Sequence, residues 1–218
     1  MQQKKYLSLV SHYESCLEMH GDTHRGVDWP KKDDVDTRYR TMLEVIRTDM
    51  PRKVSLLDFG CGASHLYEYI LRNKLSNIDY SGLDLSENFI SLSKSKFPSN
   101  TYYCLDILED SVSLPDFDYS VMNGVFTEKR DLSFDEMFSF FQGVVRRVFA
   151  KSRIGIAFNV MSKQVDWERA DLFHLPFDRL AELLTKEVSR HFVIRNDYGL
   201  YEYTAYVYRE PSPGNMAA

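Results

Sequence analysis

Three aspartates, each at the end of an apolar run, carry the clearest chemistry in this chain. The runs are Val54-Ser55-Leu56-Leu57-Asp58, Asp79-Tyr80-Ser81-Gly82-Leu83-Asp84 and Thr101-Tyr102-Tyr103-Cys104-Leu105-Asp106. Each reads as a buried strand with a carboxylate at its tip. The first continues through Phe59-Gly60-Cys61-Gly62 into Leu66, Tyr67, Ile70 and Leu71, which have helical spacing. Strand, glycine turn and helix in that order present a nucleotide site in α/β sheets. Gly60 and Gly62 allow a tight turn and let a ligand reach the backbone, while the helix aims its free N–H groups at the ligand. Asp84 lies 24 residues beyond Gly60, where an acid accepts hydrogen bonds from ribose hydroxyls. Asp106 is placed to face the exocyclic amine of an adenine.

The elements that must position these acids follow from periodicity. Leu7, Val10, Tyr13 and Leu17 predict an amphipathic helix that stops near His20-Gly21. A loop with a large aromatic, Trp29, comes next. The charge run at 31–36 reads as a solvated helix start, and a second helix continues through Ile46 until Pro51 closes it. Ser86 caps a helix that ends before Pro98. A fourth strand covers 117–126, and a capping box at Ser133 and Glu136 opens a long helix through Phe149. A fifth strand covers 152–159, a helix lies within 178–187, and strands at 192–195 and 201–208 finish the sheet.

Leu57-Asp58-Phe59-Gly60-Cys61-Gly62, Gly82-Leu83-Asp84-Leu85-Ser86 and Leu105-Asp106 resemble the first three motifs of class I S-adenosylmethionine-dependent methyltransferases. The resemblance implies a Rossmann-like, seven-stranded, mostly parallel α/β sheet with a C-terminal antiparallel hairpin and helices on both faces. It implies that Asp58, Gly60, Cys61 and Gly62 cradle the methionine part of the cofactor S-adenosyl-L-methionine. Asp84 and Leu85 hold its ribose, and Asp106 and Ile107 bracket its adenine. Asn123, Gly124 and Phe126 fall where this family has the rim between cofactor and acceptor, although Asn123-Gly124 also reads as a plain turn. The third glycine usual in the turn is Ser64 here, a small residue and a good N-cap.

The His20-Gly21, Gly26-Val27-Asp28-Trp29, Asp171-Leu172-Phe173-His174 and Asn196-Asp197-Tyr198-Gly199-Leu200 blocks resemble a subgroup of small bacterial methyltransferases often associated with surface-polysaccharide or sugar pathways. On that resemblance Trp29 covers the cofactor, and Tyr13, His20, Asn159 and Tyr198 contact the acceptor. Trp29 reads equally as a plug that fixes its loop to the core. The implied reaction is O-methylation of a small polar metabolite, a sugar or sugar-derived compound. The alternatives are a non-catalytic S-adenosylmethionine-binding sensor or partner subunit, and an N-methyltransferase of a small amine.

A hydroxyl acceptor needs a base. His174 is the first choice, and His65, just after the glycine turn, is the second. Each could instead be a packed or capping histidine. The residues from 1 to 50 read as a helical lid or cap of the same domain, 51–210 as the methyltransferase core and 211–218 as a disordered tail.

Composition narrows the partners. A net charge of −5 argues against a nucleic-acid binder. No stretch is apolar and long enough to span a membrane, and the first residues lack a signal peptide's apolar core. Three scattered cysteines point to free thiols and a cytoplasmic location. No metal-ligand spacing is evident. The expected partner is a small-molecule acceptor, with the chain as a monomer or homodimer. A nicotinamide dehydrogenase is disfavoured because the third glycine of its fingerprint is missing and the terminal hairpin goes unexplained.

Overall fold

The computed structural model describes residues 4–47 and 52–212. Pro51 and residues 213–218 lie outside the described residues. Fourteen elements order the rest. The strands are β1 (Val54–Phe59), β2 (Ile78–Asp84), β3 (Thr101–Cys104), β4 (Phe117–Phe126), β5 (Ser152–Ser162), β6 (His174–Leu175), β7 (His191–Arg195) and β8 (Glu202–Tyr208). The helices are α1 (Leu7–His20), α2 (Asp33–Leu43), α3 (His65–Arg72), α4 (Glu87–Lys96), α5 (Phe134–Ala150) and α6 (Phe177–Leu183), the last running into a π-helical turn at Leu184–Val188.

The sheet order is β3-β2-β1-β4-β5-β8-β7. Strands β1 to β5 pair in parallel along this path, and β8 is antiparallel to both β5 and β7. The fold is therefore the Rossmann-like methyltransferase architecture with the expected terminal hairpin, but with eight strands instead of seven. The eighth is β6, whose His174 and Leu175 pair in parallel with Met161 and Ser162. The register between β4 and β5 breaks between Met122 and Phe126, and β5 runs on to Ser162. Its edge past Phe126 is free, and β6 fills it.

Alternation along the strands explains why helices cover both faces. Leu57 and Phe59 belong to the same buried cluster as Phe141, Val145 and Val148 of α5 and Leu180 of α6. Val54 and Leu56 belong to a second cluster with Met42 and Leu43 of α2 and Leu66 and Ile70 of α3. With both faces covered, the parallel strands must be nearly continuous in apolar residues. The third strand ends earlier than expected, at Cys104, so Leu105 and Asp106 sit in the loop beyond it.

The helix boundaries are set by local chemistry. Gly21, at φ +63°, ends α1 where the sequence predicts. The charged stretch 33–36 forms the first turn of α2, which places three acids at its positive end. In α5 the capping box forms: Ser133 Oγ accepts the Glu136 N–H at 3.2 Å, and a Glu136 carboxylate oxygen accepts the Ser133 N–H at 2.9 Å. Ser133→Ala should lower stability by about 1 kcal/mol, read as an earlier urea midpoint with an unchanged slope.

Candidate active site

The glycine turn is held from both sides. Gly60 sits at φ +73°, and a Cβ there would lie 2.5 Å from Val125 Cγ2. Only glycine serves that position. Asp84 clips the turn to the tip of β2: one carboxylate oxygen accepts the Gly62 N–H and the other accepts the Ser86 N–H, both at 2.9 Å. Ser64 does not cap α3 with its side chain. It adopts a left-handed backbone (φ +59°), and its hydroxyl turns inward to Ser93 Oγ at 2.8 Å. Ser93 Oγ in turn donates to the Gly62 carbonyl at 2.8 Å. The turn survives the loss of a third glycine because a buried hydroxyl pair braces it.

The three acids live in different electrostatic surroundings. Asp58 is buried, and burial pushes its pKa up to about 7, with the Asp84 charge adding to the rise and a 2.8 Å hydrogen bond from Tyr80 Oη opposing it. Burial also raises Asp84, against the pull of its backbone N–H donors. At Asp106 burial works upward, but hydrogen bonds from Tyr6, Lys4 and the Leu108 N–H win and hold the carboxyl below its usual range. Tyr6 Oη donates to it at 2.6 Å and Lys4 Nζ at 2.9 Å. Its carboxylate therefore latches the start of α1 to the tip of β3, a use with no signature in the motif.

These residues open on a cavity of about 1200 Å³, open to solvent. Asp58, Gly60, Cys61, Gly62 and His65 line it, with Asp84, Leu85, Asp106, Ile107, Asn123 and Gly124, and so do Tyr13 and Trp29. The Oδ1 of Asn123 is buried without a hydrogen-bond partner among the described residues. His65 pairs with Asp22 through Nε2 at 2.7 Å.

Four expected positions depart from this picture. Phe126 is fully buried among Phe140, Phe141 and Phe158, because the inward phase of β4 turns it into the core. His20, on the last turn of α1, is exposed and lines neither cavity. Asn159 is buried in β5: its Oδ1 accepts the Gly124 N–H at 2.7 Å, and its Nδ2 donates to Glu202 at 2.9 Å. Tyr198 hydrogen-bonds Thr204 Oγ1 at 3.0 Å and lines neither cavity.

A second cavity of about 1210 Å³ adjoins the first. Its walls come from the segment after β5 (Met161, Val165, Asp166, Trp167, Arg169), from the β7–β8 turn (Gly199 to Glu202) and from Arg38 of α2. His174 lines it too, yet both ring nitrogens are engaged. Its Nδ1–H donates to the Ser162 carbonyl at 2.6 Å, and its Nε2 accepts the Arg169 N–H at 3.2 Å. Held by backbone groups on both sides, His174 ties the loop before β6 to the end of β5.

Four residues line both cavities: Asp28, Trp29, Thr127 and Glu128. Sequence reasoning missed Thr127, Glu128 and Arg38. They carry no motif, and Arg38 lies beside a charge run that reads as solvated. The only pointer to Glu128 was its place just past the rim turn.

Trp29 is fixed by a circuit of contacts. The Arg38 guanidinium lies 4.1 Å from the Trp29 ring centroid. Arg38 Nε donates to both Glu202 oxygens at 3.0 Å. Glu202 accepts from Asn159, Asn159 accepts from Gly124, and a Cβ on Gly124 (φ +80°) would lie 2.7 Å from the Trp29 ring. The circuit closes on the residue where it began.

Residues 57–148 match a family model described as a methyltransferase domain. A curated protein of Mycobacterium tuberculosis, named as a methyltransferase, is 27% identical over 158 residues, spanning 70% of this chain and 92% of its own. Among solved structures, magnesium protoporphyrin IX methyltransferase of Synechocystis with bound S-adenosylmethionine superposes with a TM-score of 0.63 at 12% identity, covering 96% of this chain and all of that one. Human N-acetylserotonin methyltransferase with S-adenosylmethionine gives 0.59 at 12% identity, covering 95% of this chain and 66% of that one. At such identities these structures share the fold, and their acceptors differ from one another. No helix among the described residues is long and apolar enough to cross a membrane.

Asp58 yields a stability prediction. Its folded pKa of about 7 exceeds the roughly 3.9 of an unfolded aspartate. Its contribution is therefore fully present below the unfolded value and lost as pH rises through the folded one. In the absence of ligand, Asp58→Asn should flatten the fall in melting temperature between about pH 4 and about pH 7. Equal slopes in mutant and wild type would remove Asp58 as its source.

Proposed function

We propose that this methyltransferase takes its methyl group from S-adenosylmethionine and delivers it to a hydroxyl of a small polar metabolite, a sugar or sugar-derived compound. The observation that carries the reading is the pair of adjoining cavities with a shared seam: one for a donor, one for an acceptor. On the donor side, Gly60 and Gly62 leave backbone open to a ligand, and the unpaired Asn123 Oδ1 offers a buried acceptor for an ammonium. Asp84 and Leu85 would face the ribose, Ile107 the adenine ring, and His65 the carboxylate end. The donor supplies an electrophilic methyl on a sulfonium. The chain's task is to orient two reactants and exclude water. Trp29 and the segment before β1 act as the cover.

On the acceptor side, Trp167 and Tyr201 stand exposed at the rim of the second cavity, where aromatic faces suit the carbon face of a sugar ring. Arg38 Nη1 is buried there with no hydrogen-bond partner among the described residues, a donor left for a ligand oxygen. Lys31 and Arg169 line the same cavity and suit hydroxyls or a phosphate. Tyr13, whose Oη donates to the Gly124 carbonyl at 3.2 Å, borders the donor chamber. A small amine is the second reading, favoured by Asp28, Asp34 and Glu128 in the same cavity.

The test is calorimetric titration with S-adenosylhomocysteine, with NAD as control. One-to-one binding of the first alone is expected, and Asp84→Ala should weaken it by about 1.5–3 kcal/mol. Monosaccharides and nucleotide sugars are then screened for a mass gain of one methylene. Binding with transfer only to amines would replace the hydroxyl reading. Binding without any transfer would favour a sensor.

A further inference from the structure

We propose that Glu128 is the counter-charge and the proton acceptor at the point where the methyl group crosses between the two cavities. The inference deepens the donor–acceptor reading above and rests on it.

The seam has four residues, and three of them are already committed. Asp28 pairs with His12 Nε2 at 2.7 Å. Thr127 Oγ1 donates to the Gly124 carbonyl at 3.0 Å. Trp29 carries the Arg38 guanidinium on its ring. Glu128 is the least satisfied: its buried Oε2 has no hydrogen-bond partner among the described residues and is met only by a 3.5 Å ion pair with Arg130 Nη1.

The backbone around it is hydrogen-bonded on both sides. Glu128 bridges to Leu172, the Phe173 N–H donates to the Thr127 carbonyl at 2.8 Å, and the Lys129 and Arg130 N–H groups both donate to the Asp171 carbonyl at 2.9 Å. The frame holds Glu128 on the lining of both cavities, and a buried carboxylate oxygen without a hydrogen bond is costly unless a ligand group completes it.

The charges balance with the reaction. As the acceptor oxygen bonds to the methyl carbon, the methyl–sulfur bond breaks and its electron pair stays on sulfur. Glu128 Oε2 takes the acceptor's proton. Sulfonium and carboxylate vanish together, so no net charge is stranded in the cavity at either end of the step.

The groups facing Glu128 set its titration. Asp28 comes from the loop before α2, Asp171 and Arg169 from the loop before β6, Arg130 from its own loop, and Tyr13 and Cys16 from α1. Burial, Asp28 and Asp171 raise its pKa above the usual carboxylate value, while the two arginines pull it back. A sulfonium then favours the charged form, and its neutral product does not.

The experiment compares dissociation constants for S-adenosylmethionine and S-adenosylhomocysteine at about pH 5 and about pH 8. The two ligands differ only by the methyl group and its charge, so titrations that involve their shared portions cancel in the ratio. In wild type the preference for S-adenosylmethionine should rise about tenfold with pH, as for one unit of pKa displacement. Glu128→Gln should make the ratio flat while leaving S-adenosylhomocysteine affinity within about twofold, and Glu128→Asp should restore part of the pH dependence. On a hydroxyl acceptor from the screen, Glu128→Gln should cut kcat by about 10²–10⁴-fold. A ratio independent of pH in wild type, or still pH-dependent in Glu128→Gln, overturns the assignment. So does an unchanged kcat. Wild type that binds neither ligand instead removes the donor reading on which the assignment stands.

Discussion

A buried carboxylate in the last strand sets the geometry of the site. Glu202 is almost wholly enclosed, and burial raises its pKa against the pull of Arg38 and Asn159. An acid so placed must be fully hydrogen-bonded or it destabilises the fold. Its two partners are therefore fixed in turn. Arg38 is brought over the Trp29 ring, and Asn159 is oriented to receive the Gly124 N–H. Trp29 and Gly124 are thus referenced to the same carboxylate. Breaking such a pair from one side costs far more than the pair itself contributes, which is why a polar cluster can govern this apolar sheet.

The frame was legible because its signals are redundant. β1, β2 and β4 are apolar runs with acids or glycines at their ends, and α5 announces itself by a capping box. The first cavity was legible for the same reason: Gly60, Asp84 and Ile107 occur at motif spacings and line one pocket. The second cavity was much less so. His174 attracts attention as a histidine, yet only the structure shows both of its nitrogens engaged by backbone. Glu128 and Arg38 look like any charged residues until the fold leaves a polar atom of each without a partner. His20 and Tyr198 sit in the right blocks but face away, because one residue along a helix or turn is enough to redirect a side chain. β6 escaped notice because a two-residue strand has no periodicity to read.

The acids show how burial and hydrogen bonding separate residues of one type. Asp58 and Asp106 both end apolar runs, yet one is raised and the other lowered. Asp58 has one hydroxyl donor and no cation, so desolvation dominates. Asp106 receives a tyrosine, an ammonium and a backbone N–H, and these overcome its burial. Asp84 is raised as well, because backbone donors offset its burial only in part and supply no charge. Thus a single strand-tip pattern supplies a carboxyl that titrates near neutrality and another that stays ionised.

The circuit through Trp29 also has a consequence in time. Trp29 and Glu202 are far apart in the sequence, and synthesis is vectorial, with folding beginning before the chain is complete. β1 to β4, the glycine turn and the Asp84 clip all lie within residues 54–126. The contact that holds Trp29 does not, since Arg38 has no Glu202 carboxylate to dock on until β8 is made. Arg38 and Glu202 are 164 residues apart, so the contacts around Trp29 join the helices before β1 to a strand made much later.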